Sequence, residues 1–456
     1  MANHLFDEFV PVSSKQWKQQ IQFELKGADY NETVVWNSPE DIKVKPFYHN
    51  DQAAEFTSVP PAKKPFSVCQ NIFVQDVEKS AYRAKDSIAR GAESIRLTIR
   101  DQKTDIVKLL SGFPLENVTV YLNLEFMSAD FIKTAYKFAS GNNADIYCCF
   151  DPVGQLAKDG NWFSGKDNFV MMQQLAPEIN TVSLVSVKAA LYQNAGANIV
   201  QQLAYSLAHT NEYFNRMTIS APIIFDVAVG SNYFFEIAKL RALRLLFATL
   251  AKEYGHSGEC RIMATPSKRN KTLYDYNVNM LRTTTECMSA ILGGADAVAN
   301  LPYDALYHKS NEFGERIARN QLLILKNESY FDKVANPADG SYYIENLTQQ
   351  LAEKALVLFK DIEANGGFVS QLGDGTIQRK ISESADKEQA LFDSGKEVLL
   401  GSNKHPNASD KMAHDLELYP FVKQNPRKTL ITPILERRLA EKMEQERLAL
   451  ENKQTL

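Results

Sequence analysis

The sequence predicts an α/β fold in which eight parallel strands close into a barrel, and three observations indicate it. Between residues 64 and 337, short β-branched runs alternate with helical stretches, as in consecutive βαβ units. The helical stretches are amphipathic, with apolar residues recurring every three or four positions, as at Ile237, Leu240 and Leu243. Eight strand-like runs suit a closed barrel. An open doubly wound sheet is the runner-up, but no GxGxxG motif follows the first run.

The eight predicted strands are short and rich in β-branched and aromatic residues. They span residues 94–100, 118–124, 145–151, 181–187, 223–229, 261–266, 297–302 and 330–337, of which the last is the least regular. Together with their helices they predict a (β/α)8 domain of the TIM type over residues 64–345.

Two further regions flank the predicted barrel. Residues 1–63 read as an arm: residues 17–25 have helical periodicity, and residues 38–48 form an extended segment in which Pro39 and Pro46 forbid a long helix. Such an arm has no core of its own, so it must lie on its own barrel or on a partner. Residues 346–456 predict a C-terminal helical extension, whose first long helix stops at Gly366 and Gly367.

Composition excludes several classes of protein. The chain has 456 residues, a net charge of -4 and a pI near 6.1, which leave no basic footprint for nucleic acid or an anionic membrane. No stretch approaches the ~20 apolar residues of a membrane span, and the first residues lack a signal-peptide core, so we expect a cytoplasmic protein. The five cysteines have no CxxC spacing, and Cys148 and Cys149 point to opposite faces of one strand. We therefore expect no metal site.

Several segments, weak singly but in a consistent order, carry a family resemblance. They are VKPFY (44–48), KPFSVCQN (64–71), YQNAGANIVQQLAYSLA (192–208), NYFFEIAKLRALRLL (232–246), RTTTECMSAILGG (282–294), ERIARNQ (315–321) and DGSYYIENLT (339–348). In this order the chain resembles the adenosylcobalamin-dependent methylmalonyl-CoA mutases from about residue 40 to 403. That family interconverts methylmalonyl-CoA and succinyl-CoA by radical chemistry that belongs to the cofactor.

The resemblance implies a cobalamin domain that this sequence does not supply. The family's lower cobalt ligand lies in a D-x-H-x-x-G motif, and none of the seven histidines has that context. The residues after 403 are also too few for a cobalamin domain of ~130 residues. We therefore expect no cofactor on this chain and adenosylcobalamin on a partner.

The polar groups that the family uses are replaced as well. Asn71 aligns with a tyrosine that orients the substrate and helps cleave the cobalt–carbon bond, and Cys69 aligns with an arginine. Leu191 aligns with the histidine that hydrogen-bonds the thioester carbonyl. Leucine donates no hydrogen bond, and loss of one such donor typically costs ~10²–10³ in rate. These three positions are degenerate, so the resemblance predicts no catalytic residue here.

The resemblance also predicts a filled bore. Catalytic members line the bore with small residues, and their strand serines correspond here to Leu184, Ser186 and Lys188, which share one strand face. Leu184 and Lys188 are bulky, so we expect both to block the barrel axis.

Retained charges in the matching segments have two readings. They are relics of a polar site or, by about three to one, solvated and paired charges on barrel helices. The candidates are Asp226, Glu236, Lys239, Arg241 and Arg282. Asp226 is the acid expected near the bore, and His209, near a helix end, is interpreted as a cap or surface residue.

These expectations together imply a non-catalytic small subunit of a heterodimeric methylmalonyl-CoA mutase, inactive alone, whose partner is the large catalytic subunit of propionate metabolism. Two alternatives stay open. The chain could be part of a split acyl-CoA mutase whose cobalamin domain is on another chain, or a regulatory barrel that binds acyl-CoA.

Overall fold

The structure is a computed structural model that describes residues 8–52, 56–163, 168–175, 184–423 and 426–454. Its strands, in chain order, are β1 Trp36–Asn37, β2 Lys43–Val44, β3 Ser67–Val74, β4 Ser94–Ile99, β5 Thr119–Leu124, β6 Asp145–Cys149, β7 Ser186–Val187, β8 Ile223–Val229, β9 Cys260–Pro266 and β10 Ala297–Val298. The last eight form one parallel sheet in the order β6-β5-β4-β3-β10-β9-β8-β7.

This sheet closes on itself. Phe150, directly after β6, forms a parallel bridge to Val185, directly before β7, and the amide of Ser186 donates to the carbonyl of Phe150 at 3.0 Å. The last free edges of the sheet are thereby joined. The prediction of a TIM-type (β/α)8 barrel is confirmed.

Two strand predictions need correction. Residues 330–337 form turns and not a strand, and Tyr330 has a left-handed φ of 58°. The eighth strand is instead β3, which the sequence did not predict because the polar Gln70 and Asn71 interrupt its apolar run. Of the predicted strand at 181–187, residues 181–183 lie outside the described residues, and β7 forms its end.

Helices follow most strands and cover the outside of the barrel. In chain order they are α1 Ser14–Glu24, α2 Tyr30–Val34, α3 Val77–Ala89, α4 Ile106–Ser111, α5 Ala129–Gly141, α6 Pro152–Asp159, α7 Phe169–Leu175, α8 Ala190–Asn194, α9 Ile199–Arg216, α10 Tyr233–Glu253, α11 Val278–Leu292, α12 Glu312–Asn327, α13 Tyr342–Ala364, α14 Phe368–Gly373, α15 Thr376–Asp393 and α16 Glu441–Gln454.

The turn from strand to helix is built by capping side chains. Asp76, Asp105, Ser128 and Asp151 begin α3, α4, α5 and α6, and each accepts a hydrogen bond from the amide three residues further on. Such a cap satisfies an amide that has no partner inside the helix and stabilises it by about 0.5–2 kcal/mol. These caps set where each helix leaves the carboxyl end of its strand.

The C-terminal segment lies across the carboxyl ends of several strands. The amide of Ile434 donates to Ala157 after β6 at 2.8 Å, that of Arg437 to Asn194 after β7 at 3.0 Å, and that of Leu439 to Arg269 after β9 at 2.9 Å. Helix α16 is then anchored by Glu444, which accepts from the amide of Leu273 at 2.7 Å.

The second half of the N-terminal arm docks on the chain's own barrel. Ile42 is 1% exposed and belongs to the main core. Trp36 packs edge-on against Phe235 of α10, with ring centroids 5.5 Å apart, and Tyr48 packs against Tyr343 of α13 at 5.2 Å. The sequence left open whether the arm lies on its own barrel or on a partner. This half of the arm lies on its own barrel.

We predict that Ile42→Ala destabilises the isolated chain by about 2–4 kcal/mol, because it leaves a cavity in a closed core. The measurement is urea unfolding followed by circular dichroism. The matched control is Ile324→Ala on α12, where the side chain is 46% exposed and the loss should stay within about 0.5 kcal/mol. Equal losses for the two variants would show that the arm does not contribute to the barrel core.

Candidate functional site: the bore of the barrel

The bore is filled with side chains. Alternate residues of the strands point inward, and they form a cluster separate from the core between strands and helices. Its members are Cys69, Tyr121, Cys149, Ile224, Met263, Ala297 and Ala299, with Tyr147 packed against them. Tyr121 is 1% exposed and stacks on Tyr147 at a centroid distance of 5.5 Å. The middle of the bore is therefore a packed interior, as is usual for this architecture.

An ion pair crosses the barrel axis. Arg96 of β4 donates from Nη1 to Oδ1 of Asp226 of β8 at 2.9 Å and also contacts Sδ of Met263 at 3.1 Å. β4 and β8 are four places apart in the strand order, so the pair joins opposite walls of an eight-stranded barrel. Burial acts to lower the pKa of the Arg96 guanidinium, but the carboxylate of Asp226 helps to raise it above its usual value.

The sequence singled out Asp226 but missed Arg96. Asp226 was expected near the bore without a companion, and Arg96 is that companion. A signal was present, because Arg96 lies between the apolar Ile95 and Leu97 of a predicted strand. Its side chain therefore points to the face opposite theirs. The pairing itself joins residues 130 positions apart and required the closed barrel.

Among the three degenerate positions, Leu191 belongs to the core between strands and helices, whereas the other two face the bore. Cys69 faces it, and burial raises the pKa of its thiol to about 11, so it stays protonated at neutral pH. Asn71 is two residues further along the same face, and its Oδ1 is buried without a hydrogen-bond partner among the described residues. Leu191 is 5% exposed in α8. This arrangement offers neither a nucleophile nor an acid–base pair.

The two predicted bore-blocking residues, Leu184 and Lys188, have different surroundings. Leu184 is 6% exposed and belongs to the core cluster between strands and helices. Lys188 directly follows β7, and its backbone amide donates to Oδ2 of Asp151 at 2.7 Å. Burial lowers the pKa of its ammonium group, although Asp151 and Asp226 act in the opposite direction.

His209 lies in an enclosed hydrogen-bond chain, which corrects its interpretation as a cap or surface residue. It is 0% exposed, with Nε2 2.9 Å from Oδ1 of Asp151 and Nδ1 2.8 Å from the hydroxyl of Tyr192. The Tyr213 hydroxyl donates to the same Asp151 oxygen at 2.6 Å. His209 is fully buried and cannot reach a substrate. These hydrogen bonds instead hold the start of α6 against α9.

The other retained charges do not form one network with Asp226. Glu236 and Lys239 pair with each other at 2.5 Å on α10, and the Lys239 ammonium also donates to the carbonyl of Ala228 at 2.7 Å. Burial lowers the pKa of Lys239, with Glu236 opposing it. The structure thus brings together only these two of the five candidates.

Arg241 and Arg282 tie the barrel helices to distant parts of the chain. Arg241 pairs with Asp339 at 2.5 Å and with Glu345 at 2.7 Å, which fixes the turn before α13. Arg282 donates to the carbonyl of Leu400 at 2.5 Å and so holds the segment after α15 to α11. Both contacts connect segments far apart in sequence and lie outside the bore.

The described residues contain no helix that is both long and apolar enough to cross a membrane. The same residues contain no group of three or more histidine, cysteine, aspartate or glutamate side chains placed to hold a metal ion.

Fold and site together define a (β/α)8 barrel whose bore is packed and bridged by an ion pair. The family model of methylmalonyl-CoA mutase matches residues 162–454. The small subunit of methylmalonyl-CoA mutase from Porphyromonas gingivalis is 34% identical over 444 residues, which cover 89% of this chain and 72% of that protein. The chain therefore belongs to the methylmalonyl-CoA mutase family.

Longer relatives match less of their own length. The methylmalonyl-CoA mutase of Cereibacter sphaeroides is 28% identical over 88% of this chain and 65% of its own length. The human mitochondrial methylmalonyl-CoA mutase is 27% identical, and the match covers 86% of this chain and 60% of that protein. The chain thus spans less than two thirds of either of these relatives.

We predict that Asp226→Ala destabilises the chain by about 2–4 kcal/mol, because it leaves a largely buried guanidinium without its carboxylate. The double variant Arg96→Met with Asp226→Leu should recover most of that loss. Chemical denaturation measures the free energy of unfolding of the wild-type chain and of these two variants. Glu125→Ala is the control, since it breaks the Arg100–Glu125 pair at the exposed ends of β4 and β5 and should cost under about 1 kcal/mol. If Asp226→Ala loses as little stability as Glu125→Ala, the ion pair across the bore does not stabilise the barrel.

Proposed function

We propose that this chain is the non-catalytic small subunit of a heterodimeric methylmalonyl-CoA mutase. Its large partner would carry adenosylcobalamin and perform the isomerisation of methylmalonyl-CoA and succinyl-CoA in propionate metabolism. The observation that carries the proposal is the Arg96–Asp226 ion pair across a bore that is otherwise packed with side chains. An acyl-CoA arm cannot pass along a barrel axis that this pair and Tyr121 occupy.

The residues at the family's reacting positions support the same conclusion. Cys69, Asn71 and Leu191 stand where the resemblance places an arginine, a tyrosine and a histidine. None of the three can supply a preorganised cationic or imidazole donor to a thioester carbonyl, and such donors account for much of the rate in acyl-transfer and related chemistry. Binding without these groups would give no useful acceleration.

The bore does not fit adenosylcobalamin together with a reacting acyl-CoA. The buried thiols of Cys69 and Cys149 and the ring of Tyr121 take up the space that the substrate would need. Of the histidines, His209 is enclosed by Asp151 and Tyr192 and cannot reach a metal outside the core. We therefore assign the cofactor to the partner and derive no reaction step on this chain.

The arm supplies a candidate contact with that partner. Val10, Val12 and Phe23 are 84%, 55% and 79% exposed, and they fall in α1 and the segment before it. Exposed apolar side chains concentrated in one short segment are typical of a protein–protein contact. We propose that this part of the arm, unlike the docked segment around Ile42, lies on the large subunit.

A cytoplasmic location is part of the proposal. All five cysteines are free and buried, which is typical of a reducing compartment. The alternative of a split mutase needs an open bore, so the ion pair across the axis argues against it. The alternative of a regulatory barrel needs a ligand cavity of acyl-CoA size, which the filled bore does not offer.

We predict that the purified chain gives no succinyl-CoA from methylmalonyl-CoA with added adenosylcobalamin. The triple variant Cys69→Arg, Asn71→Tyr and Leu191→His should also give none, because the ion pair still crosses the bore. Chromatography of the acyl-CoA products measures turnover, with the reconstituted pair of subunits as the positive control. Turnover by this chain alone above a protein-free control would refute the non-catalytic role.

We predict that the chain co-elutes with a methylmalonyl-CoA mutase large subunit of its own host in size-exclusion chromatography. Phe23→Asp should weaken that complex by about tenfold or more, because it places a charge in an apolar contact. The control is Tyr82→Asp on α3, where a 70% exposed aromatic residue lies outside the arm. Failure of the wild-type chain to associate would end the proposal, and an equal effect of both variants would remove the arm from the interface.

A further inference from the structure

The first and last strands of the barrel, β3 and β10, pair over only two residues and leave a seam beyond them. β3 continues to Val74, but β10 ends at Val298, which lies beside Val68. Beyond that point the chain is no longer a strand, and Nδ2 of Asn300 donates to the carbonyl of Ala318 on α12 at 3.0 Å. A cavity of about 300 Å³ lies at this seam.

Apolar and polar side chains both line this seam cavity. The apolar residues include Phe73, Leu301, Pro302, Ala305 and Leu322. The polar residues include Asn71 and Arg96 of the strands and Arg319 on α12, together with Gln70, Thr98, Asn300, Asp304, His308, Lys309, Ser310, Asn311 and Glu315. A cavity that combines apolar lining with polar groups able to fix a ligand's orientation is typical of a small-molecule site.

Arg319 is a buried cation without a carboxylate partner among the described residues. Its side chain is only 6% exposed, and Nη1 donates to the neutral Oε1 of Gln70 at 2.9 Å. Its Nε is buried without any acceptor. Burial lowers the pKa of this guanidinium, which nevertheless stays charged at neutral pH. A buried charge of this kind is costly unless an anion compensates it.

The carboxylates that line the cavity are already engaged elsewhere. Glu315 pairs with Arg83 and accepts from the hydroxyl of Ser310. Asp304 accepts from Nδ2 of Asn311 at 2.7 Å and lies 3.2 Å from Nδ1 of His308. Neither is hydrogen-bonded to Arg319, so Glu315 and the nearby Asp86 act on the guanidinium only at longer range and oppose the lowering of its pKa by burial.

Asn71 and Arg96 add a second pair of unused polar atoms. The two residues are neighbours in register on β3 and β4 and both face inward. Oδ1 of Asn71 lacks a donor and Nε of Arg96 lacks an acceptor among the described residues. A hydroxyl group both donates and accepts, so one hydroxyl could satisfy both atoms.

We propose that the seam cavity binds a small hydroxycarboxylate, with its carboxylate on Arg319 and its hydroxyl between Asn71 and Arg96. Guanidinium groups are the preferred partners of carboxylates because their donors match the two carboxylate oxygens. A volume of 300 Å³ is at the lower end for ligand sites and far too small for an acyl-CoA. This site does not depend on the proposed function of the chain.

The test is isothermal titration calorimetry of the full chain with lactate, 3-hydroxybutyrate and malate. Each is compared with its deoxy counterpart, and lactamide and inorganic phosphate serve as a neutral and a non-carboxylate probe. We expect at least one hydroxycarboxylate to bind, its deoxy counterpart to bind about tenfold more weakly, and lactamide not to bind.

Two variants and one control locate the site. Arg319→Met should weaken binding about 10- to 100-fold, and Arg316→Met, which removes an exposed arginine from the same helix, should change it less than about twofold. Ala305→Phe fills the cavity from a loop position and should abolish binding even if Arg319→Met does not fold.

Several outcomes would overturn the proposal. One is that no hydroxycarboxylate binds more tightly than about 10 mM, and another is that Arg319→Met and Ala305→Phe bind like the wild type. Phosphate binding as tight as that of the best hydroxycarboxylate would overturn the carboxylate assignment. Equal binding of the deoxy compounds would overturn the role of Asn71 and Arg96.

Discussion

The ion pair between Arg96 and Asp226 is the constraint on which the interior of this barrel depends. Two charges in a bore are stable there only because each compensates the other, and their contact requires opposite walls of the barrel to lie at the reach of one arginine side chain. The aromatic and aliphatic side chains above and below then pack around a fixed bridge. Closure of the sheet at Phe150 and Val185 and filling of the bore are thus coupled features.

The same arginine also lines the seam cavity beside β3. Arg96 uses Nη1 for Asp226, and its Nε is buried without an acceptor among the described residues. Since β10 ends at Val298, it does not pair with β3 beside Asn71. Arg96 therefore belongs to both features, because one of its nitrogens bridges the packed bore while its side chain borders the cavity.

Much of the barrel could be predicted from local pattern, whereas the site could not. Strands such as β8, at residues 223–229, were matched to the residue because a β-branched run with sharp ends dominates there. β3 was missed because the polar Gln70 and Asn71 interrupt its apolar run, and only the assembled barrel gives each a place. The pairing of Arg96 with Asp226 likewise depends on a strand order that no local pattern encodes.

A packed bore also changes what the barrel can be used for. A barrel that admits a substrate must leave its axis open and forgo the contacts that Tyr121, Met263 and their neighbours make here. Filling the axis extends the core through the centre of the domain, so the outer helices rest on a rigid interior. On the proposed function, this chain does not catalyse the reaction and instead gives the large subunit a rigid structural support. Its outer surface and its arm, and not its bore, would then be what the large subunit recognises.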